Sequence, residues 1–517
     1  MKKSGGQVHI EQRAAALLRL GVVALLLLAQ VALIVAAAYF LRYRAAIVYS
    51  VLEVVGLVMA VRIYNHSGSS VYKMSWILLV LFVPVAGLIL YWLWSGDRQN
   101  KRLNLKGVPR VRESDSRREN SRANVEKLRL KGGAWGRLAS YLHRQGFPLY
   151  QNTAVTYFST GEAMLEDILD GASRAERFIL MEFFIAAEGE IWTRVKNVLL
   201  ERASKGVEIK LLLDDFGCMH RLNPTELADL RRAGIEVQIF NPVHRYVNRL
   251  YFNYRDHRKI VSLDGDVAYT GGVNLADEYA NRNSRFGYWK DCGIRLEGEG
   301  AWGLTREWIH MWENIGGSME QEADYYRPLC RTVGAGYCQT ISDGPDNNPT
   351  ATAEDVFLQL IGGAQSMVCV ATPYLAIDEA MTKALCMAGD SGVDVRLLMP
   401  GIPDKKIAYL VAESYFGELL RHGVKIFSYT PGFLHSKMVL SDRRAAFVGS
   451  VNMDYRSFQL HFECGTVLYD VPAIEDILED MDEIAAQSSP VTMEQWKHRS
   501  VFRRSIGPML RLFAGWI

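Results

Sequence analysis

No Cys-x-x-Cys pair occurs anywhere in the 517 residues. The seven cysteines, Cys218, Cys292, Cys330, Cys338, Cys369, Cys386 and Cys464, are scattered and odd in number. That distribution argues against a disulfide framework and a cysteine-ligated zinc module, and it fits a reducing compartment. An excess of one charge sign is missing as well. The 59 basic and 57 acidic residues leave a formal net charge of +2, so the chain as a whole is not a polyanion binder. Compositional extremes are absent: 49% hydrophobic and 22% charged residues exclude collagen-like and disordered classes. At roughly 100–200 residues per domain, the length allows about three units.

Charge disappears locally near the N-terminus. Between Arg19 and Arg42 the chain is uncharged and rich in Leu, Val and Ala, and its ~22 residues suffice to cross about 30 Å of hydrocarbon. The run exceeds the roughly 7–15 apolar residues of a secretory signal peptide, so a span is expected rather than a cleaved leader. A second uncharged run joins Trp76 to Trp94. Tryptophans favour the headgroup level, and Pro84 and Gly87 within the run are tolerated in membrane helices. A third run, Ala45 to Val61, carries Glu53, which costs roughly 2.5–3.5 kcal/mol on insertion scales unless it faces a partner. Residues 1–96 are therefore expected to hold two or three transmembrane helices. A basic juxtamembrane linker over 97–132 follows, with twelve Lys and Arg from Arg98 to Lys131. Such residues stay cytoplasmic and attract anionic lipid, which places the remaining chain in the cytoplasm of a multi-pass membrane protein.

That remainder is one unit written twice. Arg177–Ile185, Val207–Leu213 and Ile235–Ile239 are apolar strand-like runs, with helical stretches and glycine stops between them. Ser366–Val370, Val393–Leu398 and Val424–Phe427 repeat the order. This alternation predicts an α/β fold of two duplicated sandwich halves, 133–335 and 336–498. A basic amphipathic segment closes the chain over 499–517, with Phe502, Ile506, Met509 and Phe513 among Arg503, Arg504 and Arg511.

Each half carries the same constellation. From His257 and from His435, lysine follows at +2 (Lys259, Lys437), aspartate at +7 (Asp264, Asp442), glycine at +14 and asparagine at +17 (Asn274, Asn452). On a strand, His and Lys at i and i+2 face the same side. An imidazole can attack or donate a proton near neutral pH, and a Lys charge with an Asn amide suits a phosphoryl group. Two such triplets around one phosphodiester let one histidine attack while the other protonates the leaving alkoxide. The six His, Lys and Asp residues form the candidate catalytic set and Asn274 and Asn452 bind substrate. Asp264 and Asp442 are expected to hold a turn by hydrogen bonds rather than touch substrate. No His, Cys and acid cluster has metal-ligand spacing, and no cofactor is expected.

These residues resemble the double His-x-Lys-x4-Asp signature of the phospholipase D superfamily. Asp256–Ile260, Gly271–Asn274, Ser342–Pro345, Gly432–Lys437 and Asn452–Phe458 resemble the bacterial cardiolipin synthases within it. The resemblance implies metal-free phosphatidyl transfer through a phosphohistidine, on His257 with His435 as acid. Two phosphatidylglycerols would yield cardiolipin and glycerol. It also implies that Asp291 and Glu463 orient the histidines. Separately, Tyr374 and the stretch Asp404–Lys406 are expected to help line the headgroup site. Asp256, His461 and Cys218 depart from the family's usual Asn, Asn and Ser. A phosphatidylserine synthase, a phospholipase D and a membrane-tethered nuclease remain alternatives. The nuclease would need a basic, aromatic-lined groove in the halves; the basic density lies beside the spans instead, which favours a lipid over nucleic acid.

Overall fold

The computed structural model describes residues 28, 32, 43–65, 70–94, 115–242, 254–345 and 351–516. Two compact units emerge: one takes in the described parts of 1–104 and 509–516, the other 105–240 with 253–508. Both halves of the repeat lie in the second unit, so they are not separate domains.

The first half contains β1 (Thr153–Phe158), β2 (Phe178–Phe183), β3 (Glu208–Asp214), β4 (Glu236–Phe240), β5 (Arg255–Asp256), β6 (Lys259–Leu263), β7 (Val267–Gly271), β8 (Tyr288–Lys290) and β9 (Gly293–Gly298). The second contains β10 (Tyr337–Asp343), β11 (Met367–Ala371), β12 (Leu375–Ala376), β13 (Asp394–Pro400), β14 (Lys425–Tyr429), β15 (Gly432–Leu434), β16 (Met438–Ser441), β17 (Ala445–Gly449), β18 (Met453–Asp454), β19 (His461–Tyr469) and β20 (Ser488–Val491). The sheets run β1-β9-β7-β6-β2-β3-β4 and β10-β19-β17-β16-β11-β13-β14-β20. Strand for strand the order is the same, with β20 added at one edge, which is the duplication seen in the sequence. Parallel pairs β2–β3 and β3–β4 are joined through helices Glu190–Ser204 and Pro224–Arg232, as parallel strands require.

The central strands are buried on both faces, so they read as continuous apolar runs. Alternate residues of β2 serve two cores: Phe178 and Leu180 enter one with Trp302, Trp308 and Trp312, whereas Ile179, Met181 and Phe183 enter another with Trp192 and Leu213. The first core also holds Leu440, Val448 and Leu468 of the second half, so one apolar interior joins the two sheets.

The described residues do not confirm the N-terminal expectations. Most of the run between Arg19 and Arg42 lies outside the described residues. The run from Trp76 to Trp94 is two helices, Ser70–Phe82 and Pro84–Trp94. Proline lacks the N–H and its ring crowds the preceding turn, which breaks the run at Val83. The middle run is the helix Tyr43–Tyr64, which retains Arg44, Glu53 and Arg62. Among the described residues no helix is long and apolar enough to cross a membrane. The expected linker is in part ordered as the helix Asp115–Leu130. Val125 and Leu128 are buried there, and Ser121 and Asn124 hydrogen-bond the backbone of Leu149, so this stretch is built into the catalytic unit. Within the C-terminal segment, Val501–Arg511 is a helix with Pro508 inside it, and Phe502 is 67% exposed.

Candidate active site

Two short parallel pairings knit the halves together where the motifs lie. β5 pairs with β19, and β15 pairs with β8. The backbone N–H of His257 donates to Phe462 O (2.9 Å), and that of His435 donates to Lys290 O (2.7 Å). Each motif histidine is therefore seated on the other half. Their side chains are tethered crosswise as well. His257 Nδ1 lies 2.9 and 3.0 Å from the two oxygens of Glu463, and His435 Nδ1 lies 2.6 Å from Asp291 Oδ2. With Nδ1–H given to a carboxylate, the Nε2 lone pair of each ring is left for chemistry. Both rings are more than nine-tenths buried.

The carboxylates are themselves held. Asp291 Oδ1 accepts the Cys292 N–H at 2.9 Å. Glu463 accepts hydroxyl bonds from Ser457 (2.8 Å) and Ser450. The register β7–β9 and β17–β19 makes Asp291 and Glu463 equivalent, and likewise Gly272 and Ser450. A Cβ on Gly272 would stand 2.1 Å from Asp291 Oδ1. The first half therefore has no room for the serine that supports Glu463 in the second. Ser450 and Ser457 were not singled out in the sequence. The only trace of Ser450 is a mismatch between copies, Gly271-Gly272 against Gly449-Ser450.

Lys259 and Lys437 sit with the histidines and each donates to the backbone oxygen of its own motif histidine. An ammonium has three donors, so two remain for a ligand. Burial brings both lysines down to about 8. Burial, then Lys259 and Lys437, holds His257 well below the usual imidazole value. Burial and Lys437 bring His435 to about 4, against the opposing pull of Asp291. Burial pushes Asp291 up, but His435 and Lys437 outweigh it and leave the carboxyl below its usual value. The two motifs thus act on one another across a single site. Burial and the neighbouring lysines push both imidazoles toward the neutral form, and the two lysines are placed to meet an anion.

The amides differ. Asn274 Oδ1 accepts the Ile185 N–H (3.0 Å) and its Nδ2 donates to Tyr279 OH (2.8 Å). Asn452 Oδ1 is buried with no partner among the described residues. Aromatic rings line the site: Phe184 lies 5.0 Å from His257, and Trp289 5.1 Å and Tyr279 5.5 Å from His435.

Asp264 and Asp442, grouped with the catalytic set by the motif, stand at the far ends of β6 and β16 from the histidines. Asp264 (φ 53°) opens the β6–β7 turn with Gly265 (φ 73°), and Asp442 (φ 51°) opens the equivalent turn with Arg443 (φ 55°). Asp tolerates this left-handed region better than most residues. Asp264 accepts the N–H groups of Glu176, Arg177 and Phe178, and Asp442 those of Gln365, Ser366 and Met367. Their +7 spacing is the length of a strand. They pin the start of β2 and β11 by these backbone hydrogen bonds.

One metal-capable group forms among the described residues: His257, His461 and Glu463 bring ligand atoms within 4.8 Å of one another. Spacing in sequence did not reveal it. The Glu463 carboxylate is already shared by His257 and two serines, and Arg456 Nε donates to His461 Nε2 at 3.3 Å. With Lys259 and Lys437 alongside, the surroundings repel a divalent cation.

Residues 165–286 and 357–485, one stretch per half, match the family model described as cardiolipin synthase, PLD-like domain. The cardiolipin synthase of Alkalihalophilus pseudofirmus is 32% identical over 444 residues, 85% of this chain and 88% of that protein. The chain belongs to the cardiolipin synthase family. The cardiolipin synthase of Geobacillus kaustophilus is 34% identical over 433 residues, 82% of this chain and 85% of that one. Residues 54–96 match the phospholipase D-nuclease N-terminal model. Among solved structures, phosphatidylserine synthase from Haemophilus influenzae superposes with a TM-score of 0.54 at 13% identity, covering 74% of this chain and 97% of that one, a likeness of fold. Membership in the family makes the chain a phosphatidyltransferase of the phospholipase D superfamily.

Proposed function

We propose that the enzyme transfers a phosphatidyl group from one phosphatidylglycerol to another, giving cardiolipin and glycerol, with a phosphohistidine on His257 as the intermediate. The observation that carries this reading is the crossed pair of carboxylate-held histidines, His257 on Glu463 and His435 on Asp291, with a lysine beside each. An anionic phosphodiester between Lys259 and Lys437 offsets the repulsion that keeps the rings neutral, and so lets one of them carry a proton. Asn452 donates its Nδ2 hydrogens to the same phosphate; Asn274 acts mainly by holding Tyr279 and the chain at Ile185.

In the first step His257 Nε2 attacks phosphorus. The P–O bond to glycerol breaks, and His435 Nε2 gives its proton to the leaving alkoxide. In the second step the acceptor hydroxyl gives its proton to His435 and attacks phosphorus. The P–N bond breaks and its electron pair returns to His257. The assignment of roles is supported by the 2.6 Å contact of His435 with Asp291, since a short charge-assisted bond favours the ring that takes up a proton. His257, whose contacts with Glu463 are longer at 2.9 and 3.0 Å, suits the nucleophile. Glu463 and Asp291 are positioning residues. The enzyme works at the membrane as a multi-pass protein with its catalytic unit on the cytoplasmic side, next to the basic stretch from Arg98 to Lys131.

The test is purified full-length protein with phosphatidylglycerol alone, products resolved by mass spectrometry. Cardiolipin and glycerol in equal amounts are expected. Trapping with a substrate that has an activated leaving group should give a phosphatidyl adduct in His435→Ala and none in His257→Ala. An adduct on His435 reverses the roles, and no adduct on either histidine refutes the covalent route.

A further inference from the structure

A cavity of about 570 Å³ opens beside the site, lined in part by Arg285, Trp289, Asp404 and Lys405. Trp289 joins it to the chemistry, since the same ring lies 5.1 Å from His435. The cavity therefore adjoins the histidine that handles the acceptor's proton.

The charges around it are unevenly used. Arg221 and Glu278, both on the wall, pair with each other at 2.7 Å. Asp404 accepts the Tyr374 hydroxyl at 2.6 Å, and Glu188 accepts the Asn223 N–H at 2.9 Å. Arg285 and Lys405 form no ion pair among the described residues, although the charge of Lys405 is felt by the Asp454 carboxyl. Each lies over an aromatic ring instead, Arg285 over Phe286 at 5.1 Å and Lys405 over Tyr374 at 4.7 Å. A ring face orients a cation without cancelling its charge. Lys405 also precedes the helix Lys406–Arg421, which has neither a side-chain cap nor an acidic residue in its first turn, and the positive end of that helix adds to the field. The deeply buried Lys259 and Lys437 already serve the reacting phosphodiester. The outer cations are left for a second anion.

We infer that Arg285 and Lys405 hold the phosphodiester of the acceptor phosphatidylglycerol, delivering its terminal glycerol hydroxyl to His435 and disfavouring acceptors that lack a phosphate. This rests on the proposed transfer reaction. Its second step needs an alcohol whose own phosphate is only three carbons from the attacking oxygen. Water and simple alcohols have the hydroxyl without the anion, so a second phosphate subsite separates transfer from hydrolysis.

The experiment uses full-length enzyme in mixed micelles with phosphatidylglycerol as donor and acceptor and n-butanol as a neutral competitor. Cardiolipin and phosphatidylbutanol are measured together, so any effect on the donor step cancels in their ratio. Arg285→Ser and Lys405→Ser should each lower the cardiolipin to phosphatidylbutanol ratio about tenfold, the loss typical of one charge-assisted contact. The double variant should lower it further, and Arg285→Lys with Lys405→Arg should restore it. Inorganic phosphate that lowers the wild-type ratio, but not that of the double variant, identifies a site for phosphate itself; no competition assigns the site to the lipid headgroup. If the double variant keeps the wild-type ratio while both products form, the inference is wrong. If the wild type forms phosphatidylbutanol but no cardiolipin, the proposed function fails and this inference with it.

Discussion

Replacing Asp291 by Asn is nearly isosteric and removes one thing the site requires, a second acceptor oxygen. Asp291 Oδ1 takes the Cys292 N–H and Oδ2 takes His435 Nδ1. An amide has one oxygen. If that oxygen stays on Cys292, the amide NH₂ faces His435, which must then accept at Nδ1 and carry its proton on Nε2. Such a neutral ring can no longer take the acceptor's proton at Nε2. If the amide turns over instead, the Cys292 N–H is stranded in a buried strand end. The variant also loses the charge that opposes burial and Lys437 at His435, so the imidazolium becomes harder to form. The expected loss in cardiolipin formation is about 10²–10⁴-fold, the range for one acid–base group. A donor with a p-nitrophenyl leaving group needs no proton to depart, so its burst of p-nitrophenol should survive in Asp291→Asn while turnover after the burst stays slow. A variant within a few-fold of wild-type turnover, or one whose burst vanishes with the rest, would refute this account of His435.

Three further outcomes follow from the same geometry. Asp442→Ala leaves the Gln365, Ser366 and Met367 N–H groups without their acceptor, so it should cost about 1–3 kcal/mol of stability while folded enzyme keeps its turnover. Because the Asp442 carboxyl is held below 3.8 when folded, that stabilisation is present at neutral pH. It is lost as pH falls through the folded value, so denaturation curves of variant and wild type should converge in acid. Lys259 and Lys437, at about 8, are charged below that pH and neutral above it; turnover should fall with a midpoint near pH 8, and a flat rate far into the alkaline range contradicts their phosphate role. Chelators should leave turnover intact, and a loss restored by a divalent ion would show that His257, His461 and Glu463 hold a working metal.

The parts of this molecule legible in the sequence are those written locally. Apolar runs such as Phe178–Phe183 are buried on both faces, so the strands of each half could be read directly. The +2 offset of Lys259 and Lys437 is a strand period, so their shared side with the histidines was legible too. Asp264 and Asp442 open hairpins and accept backbone N–H groups, which is the turn position their +7 offset from the histidines describes. Which carboxylate serves which histidine was not legible, because β5–β19 and β15–β8 pair segments far apart in the chain. The support of Ser450 depends on the same pairing. The division of the Trp76–Trp94 run at Pro84 was not legible, since apolar composition says nothing about where a helix breaks. The helix Asp115–Leu130 was hidden by its charge: its buried side is made of two apolar residues, Val125 and Leu128, and two polar ones, Ser121 and Asn124.

His257 and the carboxylate that orients it are 206 residues apart in the chain. During synthesis the nucleophile's own half is complete long before Glu463 leaves the ribosome. Until then His257 has neither the acceptor for Nδ1–H nor the Phe462 carbonyl that anchors its backbone. On the proposed mechanism, a chain cut before Glu463 has no oriented His257 and should not transfer a phosphatidyl group. Phosphatidyl transfer would then begin only once both halves have been made and have closed on one another.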